Sequence, residues 1–113
     1  MNSSAVVDLL RLLDDVHIEV WLDGGWGVDA LLGLETRPHK DVDIIARVSD
    51  AQKLRDILQG KGFVVQPVGT PSNFVLADPS GREIDVHAVT FTPAPFHLFL
   101  FGFGFLRGTK AQN

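Results

Sequence analysis

The sequence has no cysteine among its 113 residues. This absence excludes disulfide bonds, iron–sulfur clusters and thiolate zinc sites. The opening residues, MNSS, also lack the basic start and the apolar stretch of a secretion signal. We expect a cytoplasmic protein, because a chain without cysteine is compatible with a reducing compartment.

Positive charge is scarce and scattered along the chain. There are 10 Lys and Arg residues against 14 Asp and Glu residues, which gives a formal net charge of −4. A protein that grips a nucleic-acid backbone needs a concentrated basic surface. We therefore expect a small-molecule substrate and no nucleic-acid partner.

The sequence also lacks a long hydrophobic run. Its most apolar segment is residues 94–106, and these 13 residues include Pro95, His97 and two glycines. A membrane helix needs about 20 apolar residues, so we expect no membrane span. Aromatic side chains at alternate positions suit a strand, which would promote aggregation if it were exposed. We expect residues 93–113 to add a strand to the sheet or to form a homodimer contact.

The overall composition indicates one folded unit. Hydrophobic residues make up 45% of the chain and charged residues 21%, which allows a real core in one domain but hardly in two. We predict a single compact α/β (α+β) domain over residues 1–92, with a mixed β-sheet flanked by helices.

Three helices are predicted from apolar spacing and end signals. Ser3 or Ser4 can cap the first helix. The second covers residues 26–32 and ends at the glycine that follows. Ser49 with Gln52 resembles a capping box, which would open a third helix.

Five strands are predicted between and after these helices. They cover residues 18–22, 41–46, 63–68, 73–77 and 83–89. A strong turn signal, Asp-Pro-Ser-Gly at residues 78–81, predicts that the last two strands form an antiparallel hairpin.

Two aspartates, Asp41 and Asp43, occupy alternate positions on one predicted strand. Side chains on a strand alternate between its faces, so both carboxylates lie on the same side. Asp85, on another predicted strand, could complete a cluster. Three converging carboxylates repel one another unless a cation offsets their charge, and Mg²⁺ prefers oxygen ligands. We predict a magnesium site formed by Asp41, Asp43 and Asp85.

A glycine pair, Gly24 and Gly25, joins the first predicted strand to a helix. Glycine lets backbone amides approach a triphosphate closely, and a helix N-terminus attracts anions. We predict that this turn binds an NTP, with Trp26, Arg37 and Lys40 as further nucleotide contacts. Two Mg²⁺ ions about 3.5–4 Å apart could then support nucleotidyl transfer.

Each motif also has an ordinary structural interpretation. Asp-x-Asp is common at exposed strand edges, and Gly-Gly after a strand is often only a tight turn. Trp26 can be a packing residue and Arg37 a surface cation. His39 and His87 can be polar neighbours or satisfied core groups, and His87 could orient a carboxylate; no histidine pair has zinc-site spacing. The combination of motifs favours the nucleotide site.

The same residues resemble a known family. Residues 21–29 (WLDGGWGVD) and 37–43 (RPHKDVD), followed by DVH at 85–87, look very like the lincosamide nucleotidyltransferases and, slightly less, the aminoglycoside 2″-O-nucleotidyltransferases. The resemblance covers roughly residues 5–92. It implies a nucleotidyltransferase fold of the DNA polymerase β type. It also implies transfer of a nucleoside monophosphate from ATP or another NTP to an antibiotic hydroxyl, with release of pyrophosphate.

The resemblance assigns roles to individual residues. It implies that Asp41 and Asp43 bind the metals and that Gly24 and Gly25 hold the triphosphate. Asp85 would be a third ligand or the general base for the drug hydroxyl. Haloacid-dehalogenase-like phosphatases also use Asp-x-Asp, but the end of their motif differs from the sequence found here.

Two other interpretations stay open, because the chain diverges from the family after Thr92. The family continues with structure that helps form the acceptor pocket. The chain could therefore be a minimal nucleotidyltransferase-fold protein that binds nucleotide or a partner without modifying drugs, as antitoxin-type members do. Their motif usually reads Gly-Ser rather than Gly-Gly. The chain could also be a remnant that folds without a function.

Overall fold

The structure is a computed structural model that describes residues 1–36 and 39–90. Its elements in chain order are α1 (Ser3–Asp15), β1 (Val20–Asp23), α2 (Gly24–Leu32), β2 (Asp41–Arg47), α3 (Ala51–Gly60), β3 (Val64–Gly69), β4 (Asn73–Ala77) and β5 (Glu83–Val89). The segment predicted as an added strand or homodimer contact, residues 93–113, lies outside the described residues. Within the described residues, no helix has the length and apolar character required to cross a membrane.

The strands form one sheet in the order β1-β2-β5-β4-β3. β2 and β5 run parallel, whereas the other neighbouring strands are antiparallel. This arrangement confirms the predicted α/β domain with a mixed sheet, and it confirms the β4–β5 hairpin. It also places β2 next to β5, although α3, β3 and β4 separate them in the chain.

One face of the sheet builds the hydrophobic core because apolar residues alternate along the strands. Val42 and Ile44 on β2 and Ile84 and Val86 on β5 are fully buried. Helices α1 and α3 add their apolar sides to the same cluster, chiefly through Leu9, Leu13, Leu54 and Leu58. The residues between these strand positions point to the opposite face, so core packing fixes the orientation of the polar side chains.

The first two helices begin at different residues from those predicted. The cap of α1 is Asn2, whose side-chain oxygen accepts a hydrogen bond from the Ala5 amide at 2.8 Å. The serine caps were wrong because Ser3 is already the first helical residue. Helix α2 begins at Gly24, two residues earlier than predicted, so the glycine pair forms its first turn.

The capping box predicted from Ser49 and Gln52 does not form. A short 3₁₀ turn, Val48–Asp50, precedes α3 and makes Asp50 the N-cap residue. Gln52 is then only two residues beyond the cap rather than three, and its amide donates to Asp56 at 2.9 Å instead.

Candidate active site

Three aspartates lie side by side across three adjacent strands. Asp43 on β2 pairs with Asp23 on β1 and with Asp85 on β5 in the register of the sheet. Residues directly opposite one another share a face of the sheet, with Cβ atoms about 5 Å apart. Here that face is the one turned away from the core. We call these three residues the acidic row.

Asp41 lies on the same face, two residues before Asp43, and pairs with Glu83 of β5. The structure therefore brings the predicted residues Asp41, Asp43 and Asp85 to one face. Asp85 lies beside Asp43 because β2 and β5 pair in parallel.

His87 lies against the acidic row. Asp43, Asp85 and His87 each offer one potential metal-ligand atom, and these three atoms lie within 4.8 Å of one another. The Nε2 atom of His87 is 3.5 Å from Asp85 Oδ1, and its Nδ1 atom is 3.1 Å from Asn73 Oδ1. His87 thus stands beside the Asp85 carboxylate, as one of its sequence interpretations allowed.

The electrostatic environment raises the pKa of Asp43 to about 6 from an ordinary value of 3.8. Burial is the main cause, followed by the negative charges of Asp41 and Asp85, while His87 acts in the opposite direction. A carboxylate in this position carries charge that its neighbours do not neutralise. The site therefore favours a cation.

The glycine turn packs directly against β2. Gly24 has a φ of +61°, and a Cβ atom there would lie 2.2 Å from Oδ2 of Asp43. A Cβ atom on Gly25 would lie 2.5 Å from Cε1 and 2.6 Å from Nδ1 of His39. A side chain at either position would therefore force the Asp43 carboxylate or the His39 ring to move. The glycines allow the close approach of these two side chains, one on β2 and one just before it, a reason that the sequence did not reveal.

The remaining predicted nucleotide contacts occupy different environments. Trp26 is only 6% exposed and belongs to the core, with its ring centroid 4.9 Å from that of His39. This burial fits the packing role that the sequence left open beside base stacking. Lys40 is exposed next to Asp41. Arg37 lies outside the described residues.

A polar cluster built on the buried Asp29 and His39 lies beside the turn. Asp29 of α2 accepts hydrogen bonds from the Thr36 hydroxyl at 2.6 Å and the Thr36 amide at 3.0 Å, and its Oδ2 is 2.7 Å from Nε2 of His39. The Thr36 hydroxyl bond is the largest of the effects that hold the pKa of Asp29 below its usual value. An ionised carboxylate only accepts hydrogen bonds, so the His39 Nε2–H donates to it. His39 is thus a satisfied core group.

Sequence reasoning did not select Asp23 or Asp29 as site residues. The position of Asp23 at the end of a strand, directly before the glycine pair, was an available signal. The sequence signal for Asp29 was weaker, because its partners Thr36 and His39 are seven and ten residues away and match no local motif.

The donor set of the acidic row fits a hard divalent cation. Asp43 and Asp85 offer carboxylate oxygens, the ligands that Mg²⁺ prefers, and Asp23 and Asp41 lie on the same face. A bound cation would also offset the charge that contributes to the raised pKa of Asp43.

Fold and site together define a protein with the nucleotidyltransferase fold. The chain superimposes on the lincosamide antibiotic adenylyltransferase LnuA, solved with lincomycin bound, with a TM-score of 0.76 and 29% identity, over 82% of this chain and 59% of that one. The enzyme ANT(2″)-Ia, solved with adenylyl-2″-tobramycin, shares the fold with a TM-score of 0.71 and 23% identity, over 80% of this chain and 51% of that one.

The family follows from the sequence. The model of the aminoglycoside-2″-adenylyltransferase family matches residues 5–95, and the chain belongs to this family. A lincosamide resistance protein from Staphylococcus haemolyticus is 33% identical over 81 residues, which are 72% of this chain and 50% of that protein. The chain thus spans about half the length of this curated relative.

Proposed function

We propose that this protein is a magnesium-dependent nucleotidyltransferase that moves a nucleoside monophosphate from an NTP to a hydroxyl group of a lincosamide or aminoglycoside antibiotic. One observation carries the proposal: the glycine turn packs directly against the acidic row, with Gly24 beside Asp43. A phosphate-binding turn and a set of metal-binding oxygens therefore meet at one place. Family membership supports the same chemistry.

Different groups of the chain bind the phosphates and the metal. The backbone at Gly24 and Gly25 opens α2, so amide groups and the helix dipole favour the triphosphate there. The exposed Lys40, together with Arg37, adds positive charge for the phosphates. Asp41, Asp43 and Asp85 would hold the metal, and Asp23 adds negative charge to the same row. When bound, magnesium would polarise the phosphate and offset the charge of the leaving pyrophosphate.

The transfer step requires one group that accepts the proton of the acceptor hydroxyl. The acceptor hydroxyl oxygen bonds to the α-phosphorus, and the bond from that phosphorus to the oxygen shared with the β-phosphate breaks. Pyrophosphate leaves with that electron pair. The hydroxyl proton passes to a carboxylate, and we assign this role to Asp85, which His87 orients and which also serves the metal site.

The acceptor class is proposed from the relatives. The 33% identity to a lincosamide resistance protein supports a lincosamide, and the family model supports an aminoglycoside. The alternative is an antitoxin-like role in which the protein binds nucleotide or a partner without transfer. The experiment must distinguish this role from nucleotidyl transfer.

The test is transfer of labelled nucleotide from ATP and GTP, with Mg²⁺, to a panel of lincosamides and aminoglycosides. Asp43→Asn is the inactive variant. Asp15→Asn is a matched control, because it makes the same change at an exposed position on α1. Labelled product from the wild type and the control, but not from Asp43→Asn, supports the proposal and identifies the acceptor. Binding of Mg²⁺-nucleotide without transfer to any compound contradicts it and favours the binding role. Light scattering on the same samples tests the homodimer predicted for residues 93–113.

A further inference from the structure

The polar cluster of Asp29, Thr36 and His39 has no part in the proposed chemistry, yet it lies against the glycine turn through His39. Asp29 is 3% exposed and His39 is 6% exposed. Burying such groups is costly unless they are hydrogen-bonded, and here the Asp29 carboxylate accepts from both Thr36 and His39. The cluster therefore holds the imidazole in one orientation.

That orientation directs one edge of the imidazole at the glycine turn. The Nε2 atom is bound to Asp29, while Cε1 and Nδ1 lie where a side chain on Gly25 would begin. Unlike Gly24, Gly25 does not have a positive φ. Its backbone would accept an alanine without torsional strain, so the His39 ring is the obstacle.

We propose that His39, held by Asp29, is a positioning residue that sets the conformation of the glycine turn and thereby the affinity for Mg²⁺-nucleotide. His39 stands two residues before Asp41, the first residue of β2, and its side chain contacts the start of α2. One side chain therefore fixes the spacing between the glycine turn and β2. The inference rests on the proposed function, because it assigns the nucleotide to this turn. A displacement of about 1 Å in such a site can reduce activity about 100-fold.

The first test compares two substitutions of His39. His39→Ala removes the donor to Asp29 and the ring beside Gly25, whereas His39→Gln keeps an amide that can donate to Asp29. We expect His39→Ala to raise the KM for NTP by about 10- to 100-fold and His39→Gln to recover most of this loss. Leu54→Ala, a core substitution on α3, is the control for lost stability, and it should lower Tm without moving KM.

The second test is a double-mutant cycle on binding of Mg²⁺ with a non-hydrolysable ATP analogue, measured by calorimetry. Gly25→Ala should weaken binding by about 10-fold or more because its methyl group meets His39. In the His39→Ala background the same change should cost less than 3-fold, since the obstacle is gone. Gly24→Ala is the matched control. Its methyl group meets Asp43, so His39→Ala should not relieve it.

The outcomes separate the inference from the proposed function. A wild type that binds no nucleotide overturns both. A wild type that binds, with independent effects of Gly25→Ala and His39→Ala, overturns the inference alone. An unchanged KM in folded His39→Ala also overturns it, because a merely structural role would lower only stability. If His39→Ala does not fold, His39→Asn replaces it in the cycle, since the shorter side chain also leaves room at Gly25.

Discussion

Asp43 and Asp85 are register partners on two parallel strands that are distant in sequence. Both side chains leave the sheet on the face opposite the core, and Asp23 extends the row on the other side of Asp43. This arrangement concentrates negative charge where the glycine turn begins.

Asp43→Asn should abolish nucleotidyl transfer and should stabilise the protein when no metal is present. The substitution removes a half-buried charge that Asp41 and Asp85 repel. We expect a gain on the order of 1 kcal/mol, or roughly 4–8 °C in Tm. Thermal unfolding in the presence of a chelator measures it, with Asp15→Asn as the control for a simple change in net charge. A large loss of stability would instead make Asp43 a structural residue.

Asp43 should destabilise the metal-free protein increasingly as pH rises from about 4 to about 7. The pKa of Asp43 is about 6 in the folded protein and 3.8 ordinarily, so the folded state binds more protons within this window. Stability then falls with rising pH, because ionisation costs more in the folded state. Other groups titrate as well, so the measurement is the difference in unfolding free energy between the wild type and Asp43→Asn. That difference should move in favour of the variant as pH rises. A constant difference would show that the pKa of Asp43 is the same in the folded and the unfolded protein.

Mg²⁺ with a non-hydrolysable NTP should stabilise the wild type, and a chelator should reverse the effect. Ligand that binds only the folded state adds about 2.7 kcal/mol at 100 times its Kd. Asp43→Asn should show almost no shift, since it lacks a metal-binding carboxylate. Thermal shift in the two proteins provides the comparison, and equal shifts would place the metal elsewhere.

Gly24→Ala should be more damaging than Gly33→Ala. Both glycines have positive φ values, +61° and +75°, so both alanines carry torsional strain of about 1–2 kcal/mol. Only at Gly24 does the new methyl group also meet a neighbour, the Asp43 carboxylate, whereas Gly33 has open space around it. We expect activity to fall sharply in Gly24→Ala and to persist in Gly33→Ala. Chemical denaturation and the transfer assay measure both effects, and similar activity losses would contradict the proposed contact.

Much of the fold could be predicted because local patterns and packing agree. Strand-forming runs between turn signals predicted the strands, and the turn signal at Asp78 predicted the β4–β5 hairpin. In the structure Asp78 Oδ1 accepts hydrogen bonds from Ser80 and Oδ2 accepts one from Arg82, and despite the opposing effect of burial these bonds lower the pKa of Asp78 to about 2. Such a turn is specified within a few residues, so sequence reveals it.

Other features depend on contacts between distant segments and could not be predicted residue by residue. Asp43 and Asp85 were expected to converge, but Asp23 joins their row only because β1 pairs with the other edge of β2. The pairing of Asp29 with His39 requires α2 to pack against the start of β2. The glycines were expected to let backbone amides approach a triphosphate, and this stays a prediction. The groups that come close to them in the structure are the side chains of Asp43 and His39.

Single-turnover formation of nucleotidylated acceptor tests the central claim most directly. Wild type, Asp43→Asn and Asp15→Asn are mixed in excess with labelled ATP, Mg²⁺ and lincomycin or tobramycin, and product and pyrophosphate are quantified together. We expect equal amounts of both from the wild type and Asp15→Asn, and none from Asp43→Asn. Equal product from Asp43→Asn would contradict it, because the acidic row would then play no part in the transfer.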